Sequence, residues 1–193
     1  MKNNFTKTLV GVMAALFLLI TFSLQVKSQM FSVGDKDLNL GIGFGTHWGN
    51  IGTIGIPPVS ISMDYGFKDD LGPGVLGIGG FVGIATSKYK YSTYLGDYGW
   101  KYTNILIGAR GTYHMEFIDK LDTYAGVIIG LRYTKAKEYG DWFGTTLDSN
   151  GGLYPEVGFY VGGKYFVADN IAIFGEIGYS IAYLTIGATF RLQ

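Results

Sequence analysis

From Leu38 onward, apolar residues fall at every second position over one segment after another. Leu38, Leu40, Ile42 and Phe44 oppose Asn39, Gly41, Gly43 and Gly45. Val59, Ile61, Met63, Tyr65 and Phe67 oppose Ser60, Ser62, Asp64 and Gly66. Successive side chains of an extended backbone leave on opposite sides, so strict alternation predicts strands with two unlike faces. Eight such segments are predicted, at 38–45, 59–67, 75–88, 100–114, 123–135 and 153–166, with two more in 170–193. The last two, Asn170 to Ser180 and Ile181 to Gln193, run back to back with almost nothing between them. In the final one Ala182, Leu184, Ile186, Ala188, Phe190 and Leu192 lie on one side, and Tyr183, Thr185, Gly187, Thr189 and Arg191 on the other. A terminal strand leaves a bare edge unless another strand pairs with it, which predicts closure into a barrel.

The connections read as loops or turns: His47–Pro58, Lys68–Gly74, Tyr89–Gly99, Met115–Leu121, Ala136–Gly152 and Val167–Asn170. Long and short ones alternate up to the last hairpin. With 31 glycines spread through the apolar runs, each costing a helix about 1 kcal/mol, the class is all-β. The glycines of Leu38–Gly45 follow a G-x-G-x-G spacing with no helix after them, so they describe a strand face that must stay small and not a nucleotide loop.

Alternation alone does not say which face is inside, but the composition of the second face does. It is mostly Gly, Ser, Thr, Ala and aromatic, with about one charge per strand, where a water-exposed face would be rich in Lys, Glu and Thr. That composition suits the cramped interior of an eight-stranded barrel, which is just wide enough for side chains to fill. The apolar face then meets hydrocarbon, and strands of about 9–11 residues suffice to cross a bilayer. Tyr65, Phe67, Tyr113, Tyr133, Tyr165, Tyr179 and Phe190 fall near strand ends on that face, where an aromatic girdle belongs. The expected fold is an eight-stranded antiparallel up-and-down transmembrane β-barrel.

The start of the chain adds an address. Lys2 and Lys7 precede an apolar run from Leu9 to about Leu24, and Val26-Lys27-Ser28 follows as a cleavage site. This predicts a secretory signal peptide over 1–28, removed between Ser28 and Gln29, and a barrel domain over 29–193. Residues 1–28 carry three lysines and no acid, so the remainder holds 12 basic and 15 acidic side chains, a net of −3. A net negative chain is not built for nucleic acid. The sequence has no cysteine, which excludes disulfides, thiolate metal sites and cysteine nucleophiles.

The signal segment, the eight alternating strands, the short turns on one rim and the closing Phe190-Arg191-Leu192 together resemble the small OmpA/OmpX-like outer-membrane barrels of Gram-negative bacteria. The Gly- and Tyr-rich style is similar to that of the Bacteroidetes branch. The resemblance covers Lys36 to Gln193. It implies an outer-membrane location, outer-membrane lipid and lipopolysaccharide as neighbours, and the barrel-assembly machinery as a partner. It also implies Phe190 as the assembly signal, although the family often has that aromatic at the last position.

With the barrel closed, Asp64, Arg110, Arg132, Glu156, Lys164, Glu176 and Arg191 point inward. A periplasmic N-terminus would place Arg132, Glu156 and Glu176 in the outer half and the other four in the inner half. Buried charges must be paired, so these residues are expected to form a salt-bridged filling, with Arg132 paired to Glu156 or Glu176. The alternative is a selectivity filter in a narrow porin-like channel. A second alternative is a lipid A-modifying enzyme. The deacylases of this size use a His and a nearby Ser, and His47-Trp48-Gly49 and His114-Met115-Glu116 lack that arrangement. Both histidines are therefore read as rim or loop residues, with no catalytic residue, metal or cofactor expected. A third alternative is a surface ligand bound through loop aromatics at His47-Trp48, Tyr89–Trp100 and Tyr139–Phe143. Asp148-Ser149-Asn150-Gly151 reads as a turn, since it lacks the full calcium-loop pattern.

Overall fold

The computed structural model describes residues 31–49, 53–54, 56–69, 72–93, 96–139 and 151–192. The expected signal segment, its cleavage point and the stretch 140–150 lie outside them. The described elements are β1 (Lys36–Phe44), a 3-10 turn (His47–Gly49), β2 (Thr53–Ile54), β3 (Val59–Lys68), β4 (Val75–Thr93), β5 (Gly96–Ile118), β6 (Leu121–Tyr139), β7 (Gly152–Ala168), β8 (Ile171–Tyr179) and β9 (Leu184–Leu192).

Each long strand pairs antiparallel with its neighbour in the chain, and β9 returns to β1. Leaving aside the two-residue β2, which pairs with β4 alone, the ring runs β1-β3-β4-β5-β6-β7-β8-β9 and back to β1. This is the eight-stranded up-and-down barrel, and it has no free edge around the ring. The closing seam pairs Lys36 with Leu192 at one end and Phe44 with Leu184 at the other.

The alternation reads directly as inside and outside. Along β8 the residues run exposed, buried, exposed, buried from Ile171 to Phe174. Ile129 on β6 is 62 % exposed and its neighbour Ile128 is 1 % exposed. Ile107, Leu131, Val157, Phe159, Val161, Ile173 and Ile177 are all exposed on the outer wall. Soluble monomers rarely show a contiguous apolar surface above a few hundred Å², and here such a surface encircles the ring. Among the described residues no helix is long and apolar enough to cross a membrane. The crossing is made by strands, the shortest of which have 9 residues in β1, β8 and β9. Tyr65, Phe67, Tyr165 and Phe190 are exposed near one end of the wall, Tyr133 and Tyr179 near the other. Tyr113 is half-buried, its hydroxyl accepting from Gly74 N at 3.1 Å.

Several boundaries depart from the sequence reading, among them Ala136–Tyr139, read as loop and found as the end of β6. The Tyr89–Gly99 stretch, read as a loop, is strand up to Thr93 and again from Gly96, because β4 and β5 continue their pairing to Thr93↔Gly96. Met115–Leu121 narrows to a turn at Asp119-Lys120, where Lys120 takes a left-handed φ of 68°. His47–Pro58 contains a helical turn and a strand pairing, Thr53↔Lys88. Three ladders also slip by one residue, at Gly66/Lys68, Glu116/Ile118 and Phe166/Ala168. All three bulges sit at the end of the barrel that carries the short turns, and rims are where bulges are over-represented.

One more departure changes the interior. The last two strands do not run back to back. Ser180 to Tyr183 is a separate connection, and Ile181 and Ala182 fold into the bore, 2 % and 5 % exposed. Ala182 was expected on the lipid side and Tyr183 inside. Tyr183 is instead 39 % exposed, because the period-two count is broken between β8 and β9.

Candidate functional site: a filled lumen

The bore holds three tiers of side chains, each delivered by the inward parity of its strand. The lowest tier, near the short turns, is a charge lattice. Lys164 on β7 is 0 % exposed and donates from Nζ to Asp37 Oδ2 at 3.1 Å and Asp64 Oδ2 at 3.2 Å. Arg110 on β5 donates from Nε to Asp64 Oδ1 at 2.7 Å and from Nη2 to Glu176 Oε1 at 2.6 Å. Arg191 on β9 grips Asp37 on β1 with two bonds, Nε to Oδ1 at 2.8 Å and Nη2 to Oδ2 at 3.1 Å. Asn39 donates to Asp64 at 3.0 Å and accepts from Thr189 at 2.8 Å, and Tyr124 donates to Glu176 at 2.9 Å. Charged hydrogen bonds of this kind are the strong ones. They tie β1, β3, β5, β6, β7, β8 and β9 across the bore.

Beside the lattice, His114 Nδ1 lies 2.8 Å from Asp122 Oδ2. Phe31, 0 % exposed, stacks on the His114 ring at 4.0 Å and lies 5.5 Å from Lys164 Nζ. The segment after it is held by Gly34 N to Gly66 O at 2.8 Å and Gly66 N to Asp35 O at 2.9 Å. Phe31 therefore stoppers the bore at the short-turn end. Small residues make the room for this tier. A Cβ on Gly126 would strike the Tyr160 hydroxyl, and one on Gly162 would strike the Tyr124 ring. Both rings lie near the Arg110 guanidinium, Tyr160 with its centroid 4.2 Å away.

The middle tier is apolar: Phe81, Ala85, Leu106, Ile128, Ile181 and Ala182 pack together with Tyr124 and Tyr160. A cavity of about 10 Å³ lies between Phe81, Ile128, Tyr160, Ser180 and Ile181.

The upper tier gathers on Glu156. Its carboxylate takes Arg132 Nε at 2.9 Å, Trp48 Nε1 at 3.3 Å and sits 3.1 Å from His47 Nε2. Arg132 Nη1 reaches Thr134 at 2.6 Å and Asn104 at 3.3 Å, between the rings of Trp48 and Tyr154. His47 stacks on Tyr179 at 4.0 Å.

The seven charged residues singled out in the sequence thus fall into two groups. Arg132 and Glu156 meet in the upper tier. Asp64, Arg110, Lys164, Glu176 and Arg191 are in the lower lattice. Glu176, expected with Arg132 and Glu156, is bound to Arg110 instead, because Phe81, Leu106, Ile128, Ile181 and Ala182 separate the two tiers. His114, expected on the rim, is 1 % exposed inside the bore. Asp37 and Asp122, each one residue outside the segments counted as strands, were missed. Both continue the inward parity of β1 and β6, and that extension was the available signal. Phe190 lies on the outer wall, 36 % exposed and paired with Leu38 and Ile171. Among the described residues no cluster of three or more His, Cys, Asp or Glu is placed to hold a metal ion.

No family model and no curated protein matches this chain. Among solved structures, it is similar to Ail, the attachment invasion locus protein of Yersinia pestis, in complex with the heparin analogue sucrose octasulfate, at 12 % identity and a TM-score of 0.48 over 83 % of this chain and 99 % of that one. The N-terminal β-barrel domain of Pseudomonas aeruginosa OprF aligns at 12 % identity and a TM-score of 0.47, over 83 % and 98 % of the two chains. The Yersinia pestis outer membrane protein Ail in a phospholipid bilayer nanodisc aligns at 16 % identity and 0.45, over 82 % and 99 %. The fold itself rests on this chain's own ring of hydrogen-bonded strands. The closed ring, its packed bore and its greasy outer wall make the chain an eight-stranded antiparallel up-and-down transmembrane β-barrel.

Proposed function

We propose that this protein is an integral outer-membrane barrel with a closed lumen, serving envelope integrity or surface interaction and not catalysis. In this reading residues 1–28 are a signal peptide that is cleaved off, Phe190 guides assembly by the barrel-assembly machinery, and the long connections face outward. Short turns at one rim and longer loops at the other are the usual arrangement of outer-membrane barrels, with the short turns in the periplasm. The charge lattice then lies on the periplasmic side and the Glu156 cluster beneath the outer loops.

The observation that carries the closed reading is the middle tier. An ion entering past Arg132 meets Leu106, Ile128 and Ile181, buried to 0–2 % exposure, and then a lattice of mutually satisfied charges. A pore would need a continuous polar path. Planar-bilayer recording of the purified barrel checks this: no stable conductance is expected, and steady ohmic channels would sink the reading. Of the sequence aromatics at 139–143 that could meet a surface ligand, those beyond Tyr139 lie outside the described residues. His47 and Trp48 are occupied with Glu156, so they serve the filling and not an exposed platform.

A further inference from the structure

The outer wall carries a feature the lumen does not use. Strands β4, β5 and β6 run 19, 23 and 19 residues, about twice the length a bilayer crossing needs. Their register fixes the rows of side chains above the hydrocarbon. Val82, Ile107 and Leu131 stand side by side; above them come Ile84, Ile105 and Tyr133, then Thr86, Thr103 and Lys135, then Lys88, Lys101 and Lys137. No register shift interrupts either pairing between these rows. The lysines therefore leave from the same face as Ile107 and Leu131, the face that meets lipid.

Lys88 lies directly opposite Lys101, and Lys101 directly opposite Lys137. Lys88 and Lys137 are exposed and Lys101 is half-buried. Like charges placed directly opposite destabilise a sheet. No carboxylate among the described residues pairs with any of the three. Lys135, one row nearer the lipid, and Lys90, one row farther, lie on the same face.

We propose that Lys88, Lys101 and Lys137 form a docking strip for the phosphate groups of a phosphorylated glycolipid in the leaflet around the long-loop rim. The proposal rests on the orientation given above. Three relations support this occupant. Neighbouring strands are about 4.8 Å apart, so one phosphate can bridge two adjacent ammonium groups. The lysine row is four residues above Ile84, about 13 Å along the strand and less in height on a tilted one, which reaches the headgroup layer. Lysine stems can also lie along apolar surface and lift the charge to that layer. A soluble polyanion would satisfy the charge, but it gives no reason for the strip to continue the lipid-facing wall and not the bore or the loop tips.

The test is titration of the folded barrel in neutral detergent at low salt, followed by native mass spectrometry. The probes are bisphosphorylated lipid A, the same lipid with its phosphates removed, and a soluble sulfated polysaccharide as competitor. Folding of every protein is first checked by heat-dependent gel migration, so loss of the barrel is seen separately from loss of the site. The wild-type chain should prefer the phosphorylated lipid. The K88Q/K101Q/K137Q variant should bind it on the order of 100-fold more weakly, while K36Q at the opposite rim should not change. Equal affinity for the two lipids, an unaffected triple variant, or displacement of lipid A by the polysaccharide at lower concentration would each overturn the proposal.

Discussion

Lys164 shows what a single side chain does in this bore. Its side chain is fully buried and its ammonium meets two carboxylates, Asp37 and Asp64, each of which also holds an arginine. A buried cation is costly unless paired, and removing one partner of such a pair costs about 3–5 kcal/mol because the other charge is left stranded. Lys164→Met keeps most of the volume and removes the charge. Since Arg191 and Arg110 still serve the two carboxylates, the expected loss is near the lower figure, about 3 kcal/mol. Urea unfolding of the barrel in detergent, followed by gel migration, measures it. Lys164 was legible as an inward charge from parity alone. Its partner Asp37 was not, because Lys36 and Asp37 look like loop residues until β1 is seen to start there. Pairing across the bore also could not be read from the chain. The depth of Glu176 depends on strand stagger, which alternation does not encode.

At the scale of the element, the lengths of β4 and β5 separate two duties. Their lower parts belong to the ring, and their upper parts stand beyond it as a hairpin. The upper part was misread as a loop because Tyr89–Gly99 mixes tyrosine, serine and glycine with no apolar stripe, and a period-two reading has nothing to find in such a stretch. The ring contacts of Leu106 and Arg110 lie well below that hairpin. Replacing residues 90–99 with a two-residue turn should therefore change the unfolding free energy by no more than about 0.5 kcal/mol, the range of surface changes. A drop of several kcal/mol in the same urea titration would mean the hairpin braces the ring. The Ser180–Tyr183 connection shows the opposite failure of pattern reading. Ile181 and Ala182 look like strand residues, yet they turn in to roof the middle tier, and only packing against Phe81 and Ile128 reveals that.

For the whole molecule, the decisive contrast is between a wall that wants hydrocarbon and a bore that excludes it. Ile129, more than half exposed, and Ile128, fully covered, are neighbours in the chain with opposite surroundings. Arginine on the lipid face of a barrel costs about 2–4 kcal/mol at the bilayer midplane and nearly nothing near the interfaces. Ile129→Arg should therefore cost that amount in lipid vesicles and much less in a detergent micelle, where the charge finds water. Lys135→Arg, on the same strand at the upper edge of the wall, should cost little in either. Equal penalties for the two substitutions in vesicles would mean the wall does not meet a membrane. This two-faced plan was the most legible property of the sequence, since it needs only parity and composition.

The seam between β1 and β9 joins residues 36–44 to residues 184–192. The strand that is threaded out first must keep one flank unsatisfied until the strand threaded out last arrives beside it. Ring closure is thus a late event, and every earlier intermediate exposes a ribbon end able to pair with a stranger. Arg191 and Asp37, facing each other across that junction, act as a latch: they are brought together only when the cylinder shuts, and so reward completion over any partly rolled sheet.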